Sequence, residues 1–246
     1  MITIESSFNG PDGLGHGGTS AGRFAQLVNS RAASVRLHEP VPLDAPMSSA
    51  TDPEKSVISW GERTIATVKP LARPLDVGQF GRLDPSEVVR AERGWLDQRL
   101  GEHMAPSCFA CGHERGDHLG LGLRPGSVDG SALYACSWRP QIDGDVPDWL
   151  VWAALDCPSG IPALNRVDHD EAVVTGQLSV EIRNAVSGAG DYQLVSRRCG
   201  VEGRKHSTEA ALIDERGVSI AVAKALWFTV PLSMTRHDVP VVSAAA

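Results

Sequence analysis

The sequence predicts an α+β fold built from two similar halves, each with a central helix wrapped by antiparallel strands. Three features predict this fold: each half contains a helical stretch, strand-like runs follow that stretch, and each half ends in a β-hairpin. The hairpins resemble each other, because residues 64–71 align with residues 219–226 and both segments follow a turn and a short apolar run. We therefore expect a tandem duplication.

The helix of the first half is indicated by apolar residues at helical spacing. Ala21, Phe24, Ala25 and Val28 recur at i, i+3, i+4 and i+7, which places them on one helix face. The residues from 33 to 38 then alternate as a strand does. The first half therefore begins with a helix that buries one face.

The helix of the second half is apolar nearly all round, which is typical of a helix buried on most sides. Trp149, Trp152, Ala153 and Asp156 share one of its faces. Strand-like runs lie on both sides of it, at 119–124, 132–138, 173–182, 192–198 and 206–213.

A third helix is predicted between the halves. Asp84 is a suitable N-cap, Pro85 suits the first helical position, and Glu87 stands at the third. The predicted organisation is an N-terminal unit over 1–75, a helical linker over 76–105, a C-terminal unit over 106–232 and a loose tail over 233–246.

Composition excludes several classes of protein. The 246 residues carry a net charge of −7, which argues against a nucleic-acid partner. No apolar run approaches the ~20 residues of a membrane span, and Met1–Glu5 does not resemble a secretory signal. Five cysteines without an export signal suggest reduced thiols and a cytoplasmic location. We expect no membrane partner and no cofactor.

A glycine-rich loop over 13–18 lies directly before the first helix. The amides of Gly17 and Gly18 fall in the first helical turn, where backbone N–H groups have no intrahelical acceptor. Such amides, aided by the helix dipole, stabilise negative charge. They suit an oxyanion or a polarised thioester carbonyl.

Asp156 is the second feature with chemical meaning, because it shares the apolar face of the second helix. A carboxylate on such a face loses its water, so its pKa is expected to rise. A buried acid also requires a hydrogen-bonding partner. Perturbed acids concentrate at functional sites, although structural ion pairs produce them too.

These residues resemble the hotdog-fold thioesterases of the phenylacetate-pathway type. Members of that family share a His-Gly-Gly loop, followed nine residues later by an acid in a Leu-Asp context. The second half is also similar to them at Ser107–Gly112, at Gly120–Leu123 and at Asp129–Gly130. The resemblance implies a double hotdog that acts on acyl-CoA, with a catalytic acid of one unit facing the helix N-terminus of the other.

Each half departs from the family pattern in a different way. Nine residues after His16 stands Ala25 instead of an acid, and nine residues before Asp156 stands Pro147 instead of a histidine. Pairing the halves would unite the loop of one with the acid of the other. We therefore expect one composite site, formed by His16, Gly17, Gly18 and Asp156. The alternative is an acyl-CoA or acyl-carrier-protein binding module with degenerate sites.

By resemblance, the Gly17 N–H polarises the thioester carbonyl, with Gly18 beside it. His16 orients the loop or contacts the substrate. Asp156 acts as general base on water, or as a nucleophile through an anhydride. The nature of the acyl group and any association of pseudo-dimers into larger oligomers stay open.

Three further residues are candidates for substrate binding. Asn9 could donate a hydrogen bond to the same carbonyl, or it could be a turn residue of Asn-Gly-Pro. Arg197 and Arg198 could bind the phosphates of coenzyme A, or they could be solvated residues at a strand end.

The cysteines allow more than one interpretation. Cys108-x-x-Cys111, with His113 and His118 nearby, suits a zinc site, a redox pair or structural thiols. Structural thiols are favoured, so no metal is expected. The remaining cysteines are predicted to be buried structural residues: Cys136, Cys157 and Cys199.

Overall fold

Within residues 1–99, 104–115 and 119–235, which a computed structural model describes, ten strands form one antiparallel sheet. The strands are β1 (Ala32–Leu37), β2 (Ser48–Thr51), β3 (Ser56–Trp60), β4 (Arg63–Pro70), β5 (Gly126–Ser127), β6 (Leu133–Trp138), β7 (Glu171–Ile182), β8 (Tyr192–Glu202), β9 (Lys205–Ile213) and β10 (Ser219–Pro231). Their order across the sheet is β2-β3-β4-β1-β7-β10-β9-β8-β6-β5. The sheet is therefore continuous through both halves of the chain.

The helices of this part of the chain are α1 (Gly17–Ala25), α2 (Pro85–Arg99) and α3 (Asp148–Leu164). The sheet wraps around α1 and α3, which contact each other directly. One central helix in each half, enclosed by antiparallel strands, confirms the predicted α+β architecture. None of the helices in the described residues is both long enough and apolar enough to cross a membrane.

The halves are joined where β1 pairs with β7, from Ala32 opposite Glu181 to Arg36 opposite Gln177. Each half ends in the predicted hairpin, formed by β3 with β4 in the first and by β9 with β10 in the second. The first strand after α1 thus pairs with the first strand after α3, and this pairing joins the strands of both halves into one sheet.

Glycines on α1 allow the two central helices to approach closely. A Cβ on Gly18 would overlap Asp156, and a Cβ on Gly22 would lie 2.7 Å from the Trp149 Cα. Because Gly18 faces the middle of α3 and Gly22 faces its beginning, the two helices are antiparallel. The helix N-terminus of each half therefore lies beside the middle of the partner helix.

Replacing Gly22 with alanine is expected to lower the free energy of unfolding by about 1–3 kcal/mol, because the added methyl group must push apart two backbones. Urea denaturation measures the effect. Gly81→Ala is the matched control, since a Cβ at Gly81 meets nothing within 4 Å. Equal stability of the two variants would contradict close packing of α1 on α3.

The linker helix α2 begins at Pro85, as predicted. The Ser86 amide donates to the Asp84 carboxylate at 2.8 Å, and the Asp84 amide donates to the Glu87 carboxylate at 3.2 Å, which is a capping box. The apolar side of α2 packs on the sheet face that points away from α3, where Val88 and Ala91 are buried.

The strand expected over 119–124 is wrong, since this stretch contains no regular strand and the short β5 follows it. Leu121 and Leu123 donate their amides to the carbonyls of Phe109 and Ala110, at 2.8 and 2.9 Å. Gly122 adopts a positive φ of 62°, which interrupts an extended strand. Most of the predicted tail, from residue 236 onward, lies outside the described residues.

Candidate active site

The loop before α1 is held by the side chain of His16, which is the N-cap of the helix. Its Nδ1 accepts a hydrogen bond from the Thr19 amide at 3.1 Å and lies 3.0 Å from the Thr19 hydroxyl. The Ser20 amide donates to the His16 carbonyl at 2.9 Å. These bonds satisfy amides of the first turn and fix the imidazole at the N-terminus of the helix.

The Asp156 carboxylate lies at the N-terminus of α1 and is only 2% exposed. Its Oδ2 accepts a hydrogen bond from the Gly18 amide at 2.7 Å and lies 3.2 Å from the His16 Nε2. Its Oδ1 accepts from the Thr175 hydroxyl at 2.9 Å. The structure therefore brings together the loop of one half and the acid of the other.

The charges of this group depend on one another. Burial raises the pKa of Asp156, although His16 and the hydrogen bonds from Thr175 and Gly18 oppose that rise. Burial by itself would lower the pKa of His16, but the negative charges of Cys108 and Asp156 outweigh it and raise the value. An acid and an imidazole thus share a water-poor space in which a proton can be held between them.

Gly17 presents the remaining amide of this turn. It is half-buried, and its N–H has no hydrogen-bond partner among the described residues. A Cβ at Gly17 would lie 2.7 Å from the Thr175 hydroxyl and 3.1 Å from the Asp156 Oδ2. Because residue 17 has no side chain, its amide can lie next to the Asp156 carboxylate and remain accessible.

Thr175 was not predicted from the sequence. It lies on β7, opposite Trp227, where the register with β10 shifts and Gly176 has no partner on β10. The extra residue forms a bulge, which redirects the neighbouring side chain. A glycine within an otherwise alternating strand was the available signal, but it does not reveal which helix the threonine meets.

Thr175→Val is expected to lower the free energy of unfolding by about 1.5–3 kcal/mol, because the buried carboxylate loses a hydrogen-bond donor while the side-chain shape is kept. Chemical denaturation compares it with Thr64→Val, a control at an exposed position on β4. If both valines cost the same, the Thr175 hydroxyl does not stabilise the buried acid.

Asn9, a candidate substrate donor, has both polar atoms of its side chain engaged elsewhere. Its Nδ2 donates to the Ser107 hydroxyl at 2.8 Å and to the Gly10 carbonyl at 3.1 Å. Its Oδ1 accepts from Arg115 at 2.8 Å. Asn9 therefore connects the loop to the segment 104–115 and is not free for a substrate.

The two candidate phosphate-binding arginines differ in their surroundings. Arg197 donates to the Glu209 carboxylate at 2.9 Å, and its guanidinium lies over the Phe80 ring. Arg198 is exposed. Arg197 is therefore used within the fold, whereas Arg198 remains accessible to an anionic group.

The cysteines are arranged differently from the sequence prediction. Cys108 lies close to Cys157 and His16, and the ligand atoms of these three residues all lie within 4.8 Å of one another. His113 lies 3.5 Å from Glu114, and His118 lies outside the described residues. Hydrogen bonds from the Cys111 and Cys157 thiols hold the pKa of Cys108 well below its usual range.

The two cysteines predicted to lie in strands differ in their exposure to solvent. Cys136 on β6 is buried as expected. Cys199 on β8 is exposed, so its predicted burial is wrong. The register between β8 and β9 shifts between Arg198 and Gly200, and this irregular end of β8 is largely exposed to solvent.

Solved structures share this architecture at low sequence identity. A TesB protein of Mycobacterium avium subspecies paratuberculosis is similar over 87% of this chain and 87% of its own, with 12% identity and a TM-score of 0.57. A conserved protein with a hot dog fold from Alicyclobacillus acidocaldarius is similar over 92% and 91%, with 12% identity and a TM-score of 0.56. The chain has the double-hotdog fold.

A third similar structure is that of the acyl-CoA thioesterase II TesB2 of Mycobacterium marinum. It is similar over 87% of this chain and 90% of its own, with 9% identity and a TM-score of 0.53. No protein-family model matches the sequence. No curated protein matches it either.

The antiparallel pair of α1 and α3 has two ends. The composite site lies at the N-terminus of α1, and the N-terminus of α3 is built differently. A cavity of about 350 Å³ lies at the N-terminus of α3, lined by Ala25, Gln26, Arg31, Asp148 and Trp152 among others. Ala25 occupies the position that corresponds to Asp156. This cavity thus lies at the end where Ala25 stands in the place of the Asp156 carboxylate, while His16 and Asp156 at the composite site are each only 2% exposed.

Proposed function

We propose that this chain hydrolyses an acyl-CoA thioester at the composite site formed by His16, Gly17, Gly18 and Asp156. The observation that carries the proposal is the 2.7 Å hydrogen bond from the Gly18 amide to the buried Asp156 carboxylate, which joins the two hotdog units. Structural similarity to a protein named as an acyl-CoA thioesterase supports the same reaction.

In the proposed reaction, the thioester carbonyl accepts a hydrogen bond from the Gly17 N–H, the one amide of this turn without a partner among the described residues. Asp156 takes a proton from water, whose oxygen forms a bond to the carbonyl carbon. The helix N-terminus stabilises the resulting oxyanion. The C–S bond then breaks, and the coenzyme A thiolate takes the proton back.

The other groups position the base. Thr175 holds one carboxylate oxygen and Gly18 holds the other, so the acid cannot rotate away from the loop. His16 lies 3.2 Å from the same oxygen as Gly18 and caps the helix whose dipole acts on the oxyanion. Substrate is expected to arrive over Gly17, which is half-buried and carries no side chain.

A second candidate function is non-catalytic binding of an acyl thioester. It is favoured by the position of the described cavity, which lies at the α3 end of the helix pair and not at Asp156. In that case the bonds of Asp156 to Gly18 and Thr175 would be structural, and Arg31 would face the ligand.

A turnover assay separates the two functions. Short-chain, long-chain and aromatic acyl-CoAs are each incubated with the protein, and the loss of thioester ultraviolet absorbance is followed, because the protein has thiols of its own. Hydrolysis of at least one substrate is expected. Thermal stabilisation by an acyl-CoA without any turnover would support the binding function instead. A cytoplasmic location and further association of the chains stay predictions.

A further inference from the structure

Three groups that can bind a metal converge at the composite site. The Sγ atoms of Cys108 and Cys157 lie 3.8 Å apart, and the His16 Nε2 lies 3.3 Å from the Cys157 Sγ. The ligand atoms of these three residues all lie within 4.8 Å of one another. Cys111 follows Cys108 by three residues in the same turn. Three separate parts of the chain thus contribute to one cluster.

The distances are those of a tetrahedral zinc site. With Zn–S bonds of about 2.3 Å and a Zn–N bond of about 2.0 Å, two sulfur ligands lie about 3.8 Å apart, and a sulfur and a nitrogen lie about 3.5 Å apart. The observed separations of 3.8 and 3.3 Å agree with both values. Ligands therefore need little movement to accept the ion.

We propose that Cys108, Cys157 and His16 bind one zinc ion. Two thiolates and one imidazole supply three ligands of a tetrahedral zinc ion, and Cys111, in the same Cys-x-x-Cys turn as Cys108, is the nearest source in sequence for the fourth. A disulfide between Cys108 and Cys157 would leave unexplained why the His16 Nε2 lies 3.3 Å from the Cys157 sulfur. His16 also belongs to the composite site, but zinc content is measured without any thioester, so the zinc proposal and the proposed function fail separately.

The local backbone suits a metal-binding turn. The Gly112 amide donates to the Cys108 carbonyl at 2.9 Å, and a Cβ at Gly112 would lie 2.5 Å from the Cys108 backbone. Glycine is therefore required directly after Cys-x-x-Cys. The segment 104–115 contains turns but no regular element, so an ion would attach it to α3 and to the loop before α1.

The second nitrogen of His16 also has a suitable partner. When Nε2 binds a metal, Nδ1 carries the proton, so the bond that Nδ1 accepts from the Thr19 amide would be replaced by one that it donates to the Thr19 hydroxyl, 3.0 Å away. The buried Phe109, with its ring 6.1 Å from the imidazole ring, shields the same group. Zinc on Nε2 would end any hydrogen bond from His16 to Asp156, which keeps those from Gly18 and Thr175.

Metal analysis of the reduced, untagged protein tests the proposal. We expect about one zinc per chain, measured by mass spectrometry after growth with zinc. Cys108→Ser and Cys157→Ser should each reduce the zinc content by about tenfold or more. The control Cys199→Ser, which changes an exposed cysteine outside the cluster, should keep it.

A spectroscopic measurement on the unmodified chain keeps the test valid if the serine variants do not fold. Cobalt added to the metal-free protein should give the intense visible bands of tetrahedral cobalt and a sulfur-to-metal charge-transfer band, and zinc should remove both. The proposal is overturned if the reduced protein binds neither zinc nor cobalt. Detection of a disulfide within the cluster in freshly purified protein would also overturn it.

Discussion

Asp156→Asn is expected to lower kcat for thioester hydrolysis by about 10²–10⁴, the usual contribution of a general base. Asparagine keeps the shape of the side chain but cannot accept a proton from water. Steady-state hydrolysis of the best acyl-CoA from the panel measures the change. Asp148→Asn is the matched control, because Asp148 lies in the first turn of the same helix but lines the other cleft.

The outcome for the control decides how the first result is interpreted. Activity within about twofold of wild type for Asp148→Asn, with the loss confined to Asp156→Asn, supports the composite site; a twofold change is only about 0.4 kcal/mol. Full activity of Asp156→Asn would contradict the assignment of the base. A folded but inactive control would instead place the chemistry at the cavity beside α3.

Gly18→Ala is expected to have the largest effect on stability, lowering the free energy of unfolding by about 3 kcal/mol. Its methyl group would overlap Asp156 and lie 2.8 Å from the Trp152 carbonyl, so α1 and α3 must separate. The same separation would lengthen the bond from the Gly18 amide to the carboxylate. Hydrolysis should therefore fall together with stability.

Urea denaturation and the acyl-CoA assay are both needed for Gly18→Ala. Gly203→Ala is a control of a different kind, since that glycine has a positive φ of 55° but an open surrounding. Gly203→Ala should lower the free energy of unfolding through backbone strain alone, and it should leave the hydrolysis activity unchanged. If Gly18→Ala keeps wild-type stability and activity, the close contact of the two helices is not required for the site.

Much of the fold was accessible from the sequence because it depends on local signals. The hairpins follow from alternation around turns, and the start of α2 follows from Asp84, Pro85 and Glu87. The buried position of Asp156 follows from helical spacing on an apolar face. The meeting of that acid with the loop was inferred from the complementary departures at Ala25 and Pro147.

The features that were missed depend on contacts between distant segments. Cys157 was expected to be a separate buried thiol, yet it is only half-buried and meets Cys108 from another part of the chain. Thr175 reaches Asp156 only because β7 bulges there. Leu121 and Leu123 resemble a strand, but their amides bind the segment before them. Short-range patterns do not specify such partners.

A crystal structure with a non-hydrolysable ketone analogue of an acyl-CoA tests the composite site most directly. We expect the ketone oxygen within hydrogen-bond distance of the Gly17 amide, with the Asp156 carboxylate beside the carbonyl carbon. An analogue bound instead in the cavity lined by Ala25 and Asp148, with the loop before α1 unchanged, would contradict the composite site.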